Sequence, residues 1–272
     1  MDICTFWFGS ELRPVDRICL SSMVLAGYRV KLFSYGPVVG VPNGVELRDA
    51  EAILPQVTFK RLDPGYPKLA SQISVVQYSD LFRVMLMKHG EGLWLDTDVY
   101  LVNRVNFDFS KPYLARENRS RLGVSAMYFP ADHAVIHEFQ NFIEGTDALP
   151  NWLGLGRGFF RPLWHRILGR EVRPADIGIT IFGNDGISRL AKKYKFFSTA
   201  APKESFYYWT GKESERIFDP AYGLEPIWHP DFKGFHIHYK ALTRSPLRQG
   251  SFYEWAVNRA LKNNNLPKNS VG

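Results

Sequence analysis

GEGLWLDTDVYLV, residues 90–102, sets a continuous apolar run from Gly92 to Leu95 against two aspartates, Asp96 and Asp98, and then a second apolar run from Val99 to Val102. The first run is the pattern of a central strand buried on both faces. Residues i and i+2 of an extended chain point the same way, so Asp96 and Asp98 can project into one site. Ligand sites of open α/β sheets lie at the carboxyl ends of strands, which is where this pair falls. Two hard oxygen donors there suit a divalent cation, Mn²⁺ or Mg²⁺, held together with a substrate phosphate. A merely solvated Asp-x-Asp loop is the alternative. The flanking apolar strands argue against it, because charge at a buried strand end needs a partner or a metal.

Upstream, residues 70–89 carry apolar side chains at helical spacing (Ile73, Val76, Leu81, Val84, Met85, Met87), closed by Gly90. Asp80 and Arg83, three apart, share a face of that helix. Further back, Ile3 to Phe8 reads as a buried strand, Pro14 opens a helix that stops at Gly27, and Arg29 to Ser34 alternates as a strand. A crossover this short implies parallel strands and an α/β fold. The proline-rich stretch 38–67 reads as loop with a short strand near Val45 to Leu47. Residues Asn151 to Arg173 are rich in Trp, Phe, Gly and Arg and read as an amphipathic helix packed on the sheet, with an acceptor-binding or membrane-contacting element as the alternative. Ser251 to Leu261 reads as a terminal helix.

Ser79-Asp80, Arg83 and then Gly90, Gly92 and Leu95-Asp96-Thr97-Asp98 resemble the S-D-x-x-R and G-G-x-Y-x-D-x-D signature of glycosyltransferases with a DXD sugar-binding region. That group includes yeast mannosyltransferases, the α1,4-galactosyltransferases and the large clostridial glucosylating toxins. Glu91 and Trp94 depart from its usual Gly and Tyr. Phe6-Trp7-Phe8-Gly9 is similar to the first-strand I-W-x-G of the family, and Ser34-Tyr35 falls where the strand–helix–strand unit meets the base. Phe182 to Gly186 resembles its late T-G-P segment with Asn184 in place of Pro, and Gly234 to Lys240 its closing element, with His236 at the motif histidine.

The resemblance implies a GT-A-like fold: an α/β, Rossmann-type mixed sheet flanked by helices, with a helical and loop acceptor region added. It implies a retaining transfer of a hexose from a nucleotide diphosphate sugar, UDP-galactose or UDP-glucose, to a glycan or lipid-linked glycan in cell-surface polysaccharide synthesis. Asp98, with Asp96 and His236, would hold the metal; Asp80 and Arg83 would bind the donor sugar, with Arg83 near the diphosphate; and these two with Asp96 and Asp98 are the candidate catalytic residues. Phe6, Trp7, Ser34, Tyr35, Asn184 and Lys240 complete the donor site. Trp7 offers a face for the base, with a core role as the alternative. His236 and His238 share a strand face, which suits a metal or phosphate and equally an unrelated structural pair.

With 272 residues the chain reads as one domain: a nucleotide-sugar part in 1–105, acceptor side and remaining sheet in 106–240, and a basic C-terminal helix and tail in 245–272. The formal net charge is +7, and from Lys233 onward seven basic residues face one acid, Glu254. So local a surplus argues against nucleic acid and for a phosphate, a diphosphate or peripheral contact of the C-terminus with anionic membrane, with a merely solvated basic tail as the alternative. No apolar run reaches membrane-spanning length, and no secretory leader is recognisable, so a cytoplasmic protein, associated with the inner membrane face, is expected. Cys4 and Cys19 read as buried apolar residues. Two other classes fit the motif. In a haloacid-dehalogenase-type phosphatase Asp96 is the nucleophile and Asp98 the general acid, with Gly183-Asn184-Asp185 as a second acidic motif; a non-catalytic sugar-binding protein of the same fold is the third.

Overall fold

The described residues form eight strands: β1 (Asp2–Phe6), β2 (Arg29–Ser34), β3 (Val45–Asp49), β4 (Leu93–Leu95), β5 (Val99–Leu101), β6 (Tyr113–Arg116), β7 (Leu122–Tyr128) and β8 (Gly234–His236). They come from a computed structural model that describes residues 1–66, 71–237 and 248–264. Six strands form one sheet in the order β3-β2-β1-β4-β7-β6. β1 pairs in parallel with β2 and β4, and β2 with β3, whereas β7 runs antiparallel to both β4 and β6. This is the mixed α/β sheet flanked by helices that the sequence leads one to expect.

Side-chain alternation assigns each strand residue to a layer. Ile3, Leu93 and Leu95 pack on one face with Leu20 and Met23 of α1 (Pro14–Leu25), the crossover between β1 and β2. Cys4, Phe6 and Trp94 point the other way, toward Leu81, Phe82 and Met85 of α2 (Gln72–Lys88), capped by Ser71, whose hydroxyl accepts from the Ser74 amide. α3 (Ala134–Glu144) packs on α2, and α6 (Asn184–Lys193) on β7. β5 and β8 form a separate antiparallel pair. They share a third cluster with the outer side of α1 and with α7 (Phe252–Asn264), in which Tyr100, Phe235 and Phe252 meet Val15 and Cys19. Both cysteines are buried and unpaired, and burial pushes their thiols well above the usual range.

Differences from the sequence reading have local causes. β1 ends at Phe6 instead of Phe8: the Trp7 amide still reaches the Phe33 carbonyl (2.9 Å), but the chain then leaves the sheet to form the wall of a cleft. The 38–67 stretch holds β3 and two 3-10 turns, Ala50–Ala52 and Gln56–Arg61. The helix in 151–173 exists as a π turn, Gly156–Phe160, running into α4 (Arg161–Ile167) and followed by the short α5 (Pro174–Ile177). It is not packed on the sheet; Pro162 is its buried residue and its apolar side chains face outward. No helix among the described residues is long and apolar enough to cross a membrane.

Gly92 shows why the turn before β4 needs glycine. Its φ is +126°, and a Cβ there would lie 2.2 Å from the Asp2 carbonyl oxygen of the neighbouring strand. Gly92→Ala is expected to cost about 2–4 kcal/mol, combining positive-φ strain with overpacking against backbone. Urea unfolding reads this directly, and a loss under about 1 kcal/mol would contradict it.

Candidate active site

Where β4 ends, the Asp96 amide donates to the Ser125 carbonyl of β7 (2.8 Å), and the chain then enters a turn closed by the Val99 amide on the Asp96 carbonyl (3.0 Å), where the sequence reading expects an extended segment. The turn sorts three consecutive side chains. Asp96 falls on the Trp94 side and accepts a hydrogen bond from the Trp94 indole N–H (2.8 Å). Thr97 points toward α1, where its hydroxyl donates to buried Asp16 (2.7 Å). Asp98 returns to the cleft. The β5–β8 pairing sets Val99 opposite His236, and the Ile237 amide donates to the Asp98 carbonyl (2.9 Å). This register carries His236, 138 positions downstream in sequence, to within 3.3 Å of Asp98 Oδ1 and 3.9 Å of Asp96 Oδ2, measured from Nε2.

Asp96, Asp98 and His236 thus each offer one ligand atom, all within 4.8 Å of one another. Two carboxylates and an imidazole are a donor set for Mn²⁺, and also for Mg²⁺ when phosphate oxygens fill the remaining positions. Burial pushes the His236 imidazole down, but the adjacent Asp98 and Asp96 carboxylates outweigh it and raise it above its ordinary value. The site therefore draws positive charge.

Two arginines flank the aspartates. Arg83 of α2 is buried over the Trp94 ring (4.8 Å), donates to the Val124 carbonyl (2.8 Å), and pairs with Asp80 (3.0 Å) and Asp96 (3.4 Å). Asp80 stands behind Arg83 and does not line the cleft; Gly183 closes over it, since a Cβ there would sit 2.8 Å from its carboxylate. Burial pushes the Asp80 carboxyl up to about 7, against the opposing pull of Arg83 and with a further push from Asp96. Arg13, just before α1, pairs with Asp16 (2.6 Å), approaches Asp98 (3.8 Å) and lies over the Trp7 ring (5.3 Å).

These groups line an open cleft of about 640 Å³, bounded on the α2 side by Gln72, Val76 and Ser79. A second hollow, about 270 Å³, shares Trp7 and Phe8 with it and is otherwise formed by the ends of β1 and β2, including Ser34 and Tyr35. The Tyr35 hydroxyl donates to the Leu54 carbonyl (2.6 Å) and meets the Tyr78 hydroxyl, which orients its ring. Phe6 borders the cleft while its ring stacks on Phe82 in the core (4.1 Å). Asn184 begins α6, donates to Glu117 (2.9 Å) and is not a cleft residue. Asp185 likewise is engaged elsewhere, by Arg157 (2.6 Å) and Thr180. Lys240 and His238 lie outside the described residues.

Arg13 is the charged cleft residue that sequence reading missed. Its signal was Arg13-x-x-Asp16 at a helix start in the first strand–helix loop, a position that borders the ligand crevice in open α/β sheets. No protein-family model and no curated protein matches the chain. Among solved structures the chain is similar to one described as "PaToxG Glycosyltransferase", at 10% identity and a TM-score of 0.44, over 99% of this chain and 81% of that one.

Proposed function

We propose that this chain is a metal-dependent, retaining glycosyltransferase, working as one domain, that takes a hexose from UDP-galactose or UDP-glucose and delivers it to a glycan or lipid-linked glycan acceptor. The observation that carries this reading is the convergence of Asp96, Asp98 and His236 in a cleft flanked by Arg13 and Arg83. Arg13 and Arg83 are paired more closely with Asp16 and Asp80 than with Asp98 and Asp96, so the site keeps a pull on a dication while its two guanidiniums offer donors to a diphosphate arriving with it.

Asp98, Asp96 and His236 would hold the metal. Bound there, Mn²⁺ or Mg²⁺ supplies a Lewis acid that neutralises charge developing on the departing diphosphate. Arg83 and Arg13, fixed by Asp80 and Asp16, offer preorganised N–H donors to the same oxygens. The uracil would lie in the hollow of Ser34 and Tyr35 against the Trp7 face, and the sugar near Asp96 and Ser79. No further carboxylate lines the cleft among the described residues, which favours same-face attack: the anomeric C–O bond to diphosphate breaks, the acceptor oxygen bonds that carbon, and its proton passes to the leaving phosphate oxygen.

The test is hydrolysis and transfer with a panel of nucleotide sugars, with and without Mn²⁺, beside a generic phosphate monoester. UDP release that requires Mn²⁺ supports the reading and names the donor; turnover of the monoester alone would replace it with the phosphatase reading. Trp7→Ala should raise KM for the donor about tenfold with little change in kcat, as loss of one stacking face costs roughly 1–3 kcal/mol. An unchanged KM would take Trp7 out of the donor site.

A further inference from the structure

The segment 155–168 exposes large apolar side chains in a density found nowhere else among the described residues: Phe159 is 56% exposed, Phe160 60%, Leu163 42%, Trp164 62% and Ile167 67%, with Leu155 at 75% before them. Only Pro162 anchors the helix inward. Isolated exposed apolar residues are unremarkable, but a contiguous patch of this kind marks an interaction surface. Its rim is cationic. From Asn151 to Arg173 there are five arginines and one acid, Glu171. Arg157 and Arg173 are held by Asp185 and Asp176, and Arg161 by the Ile177 carbonyl. Arg166 and Arg170 have no carboxylate partner among the described residues. They open instead onto a pocket of about 390 Å³ that they share with Lys60, Arg61 and Arg173.

We infer that this helix is a monotopic membrane anchor that lies in the interface of an anionic bilayer, its aromatic and aliphatic side chains among the acyl chains and its arginines on lipid phosphates. An aromatic apolar face joined to an arginine rim is the chemistry such helices use. A protein partner would need shape and directional groups, whereas this face offers greasy bulk beside a surplus of arginine over acid. The anchor is also tied to the cleft wall: Gln77 of α2, next to cleft residue Val76, donates to the carbonyls of Pro174 (3.1 Å) and Gly178 (2.9 Å) in the segment that follows α4. The inference does not depend on the chemistry in the cleft.

The full chain would be sedimented with vesicles of phosphatidylcholine alone and with 30–40% phosphatidylglycerol, and its tryptophan emission recorded. Binding to the anionic vesicles is expected, weakened by salt, with a blue shift that Trp164→Phe removes while binding persists. Phe160→Ser/Trp164→Ser/Ile167→Ser should weaken partitioning at least tenfold, and Arg166→Gln/Arg170→Gln should lose the preference for anionic lipid. These side chains are exposed, so an unchanged thermal midpoint verifies that the variants fold. Absence of vesicle binding, or binding untouched by the triple substitution, overturns the inference. So does a dimer in sedimentation equilibrium that the triple substitution dissociates, which would make a second copy of this chain the occupant.

Discussion

Asp98→Asn is expected to reduce Mn²⁺-dependent UDP release by about a thousandfold, the scale on which a preorganised charge at a leaving group contributes. Asn preserves the shape of the side chain and removes its charge, so the change isolates electrostatics. Asp98 is the carboxylate nearest His236, at 3.3 Å, and also stands 3.8 Å from Arg13. On the proposed function its loss should take away one of the three groups that would hold the cation. Mn²⁺ affinity, followed by electron paramagnetic resonance, should fall at least about a hundredfold in the variant. In the parent chain the same titration should show tighter Mn²⁺ binding with UDP present than without, and tighter UDP binding with Mn²⁺ by the same factor, because coupling is reciprocal. Asp98 is partly exposed and supports no core packing, so folding should be unaffected. More than a tenth of parental activity in a folded Asp98→Asn chain would remove Asp98 from the metal. Monoester turnover abolished by Asp96→Asn would instead make Asp96 the nucleophile.

What could be read from the sequence follows from how local each signal is. β2 and α1 lie where alternation and the Pro14 and Gly27 signals set them, since each is dictated by neighbours within a few residues. The D-x-D pair was legible because two aspartates one residue apart stay close in any local backbone, but what brings Asp96 and Asp98 together is a turn closed by the Val99 amide on the Asp96 carbonyl, not the extended geometry the sequence suggests. His236 was legible only through the family motif, because what delivers it is the pairing of Val99 with a strand far along the chain. Arg13 was missed because its contacts to Trp7 and Asp98 cross between elements that periodicity treats separately. Burial of the 151–173 helix was misjudged on different grounds. Its amphipathic pattern is common to helices that pack on a sheet and helices that lie on a membrane, and the pattern does not say which phase receives the apolar side.

Arg83→Met should destabilise the fold by about 3–5 kcal/mol near pH 8, the cost of leaving a buried charge without its partner. The guanidinium holds Asp80, Asp96 and the Val124 carbonyl and lies over Trp94, and methionine replaces only its bulk. The penalty should depend on pH, and its sign follows from Asp80. Burial already raises that carboxyl from 3.8 to about 7, so the unfolded chain releases the proton more readily than the native one. Native stability from this group is full below about pH 4 and drains away as pH rises toward 7, at roughly 1.4 kcal/mol per pH unit for one proton. Removing Arg83 raises the native value further and extends the loss above 7. The variant should therefore be weakened less at pH 5, where Asp80 is protonated, than at pH 8.5, by up to about 2 kcal/mol, the same slope acting over the roughly 1.5 pH units above 7. Asp80→Asn/Arg83→Met should recover much of the loss at high pH, since a neutral amide has no charge to bury. Urea titrations of the four chains at both pH values form the cycle. A penalty for Arg83→Met that is the same at both, or a double variant no better than the single at pH 8.5, would mean that Asp80 does not carry the buried charge. Recovered stability without recovered donor turnover would then separate the two duties of Arg83, since Asp80 can be neutralised while the diphosphate still lacks its guanidinium.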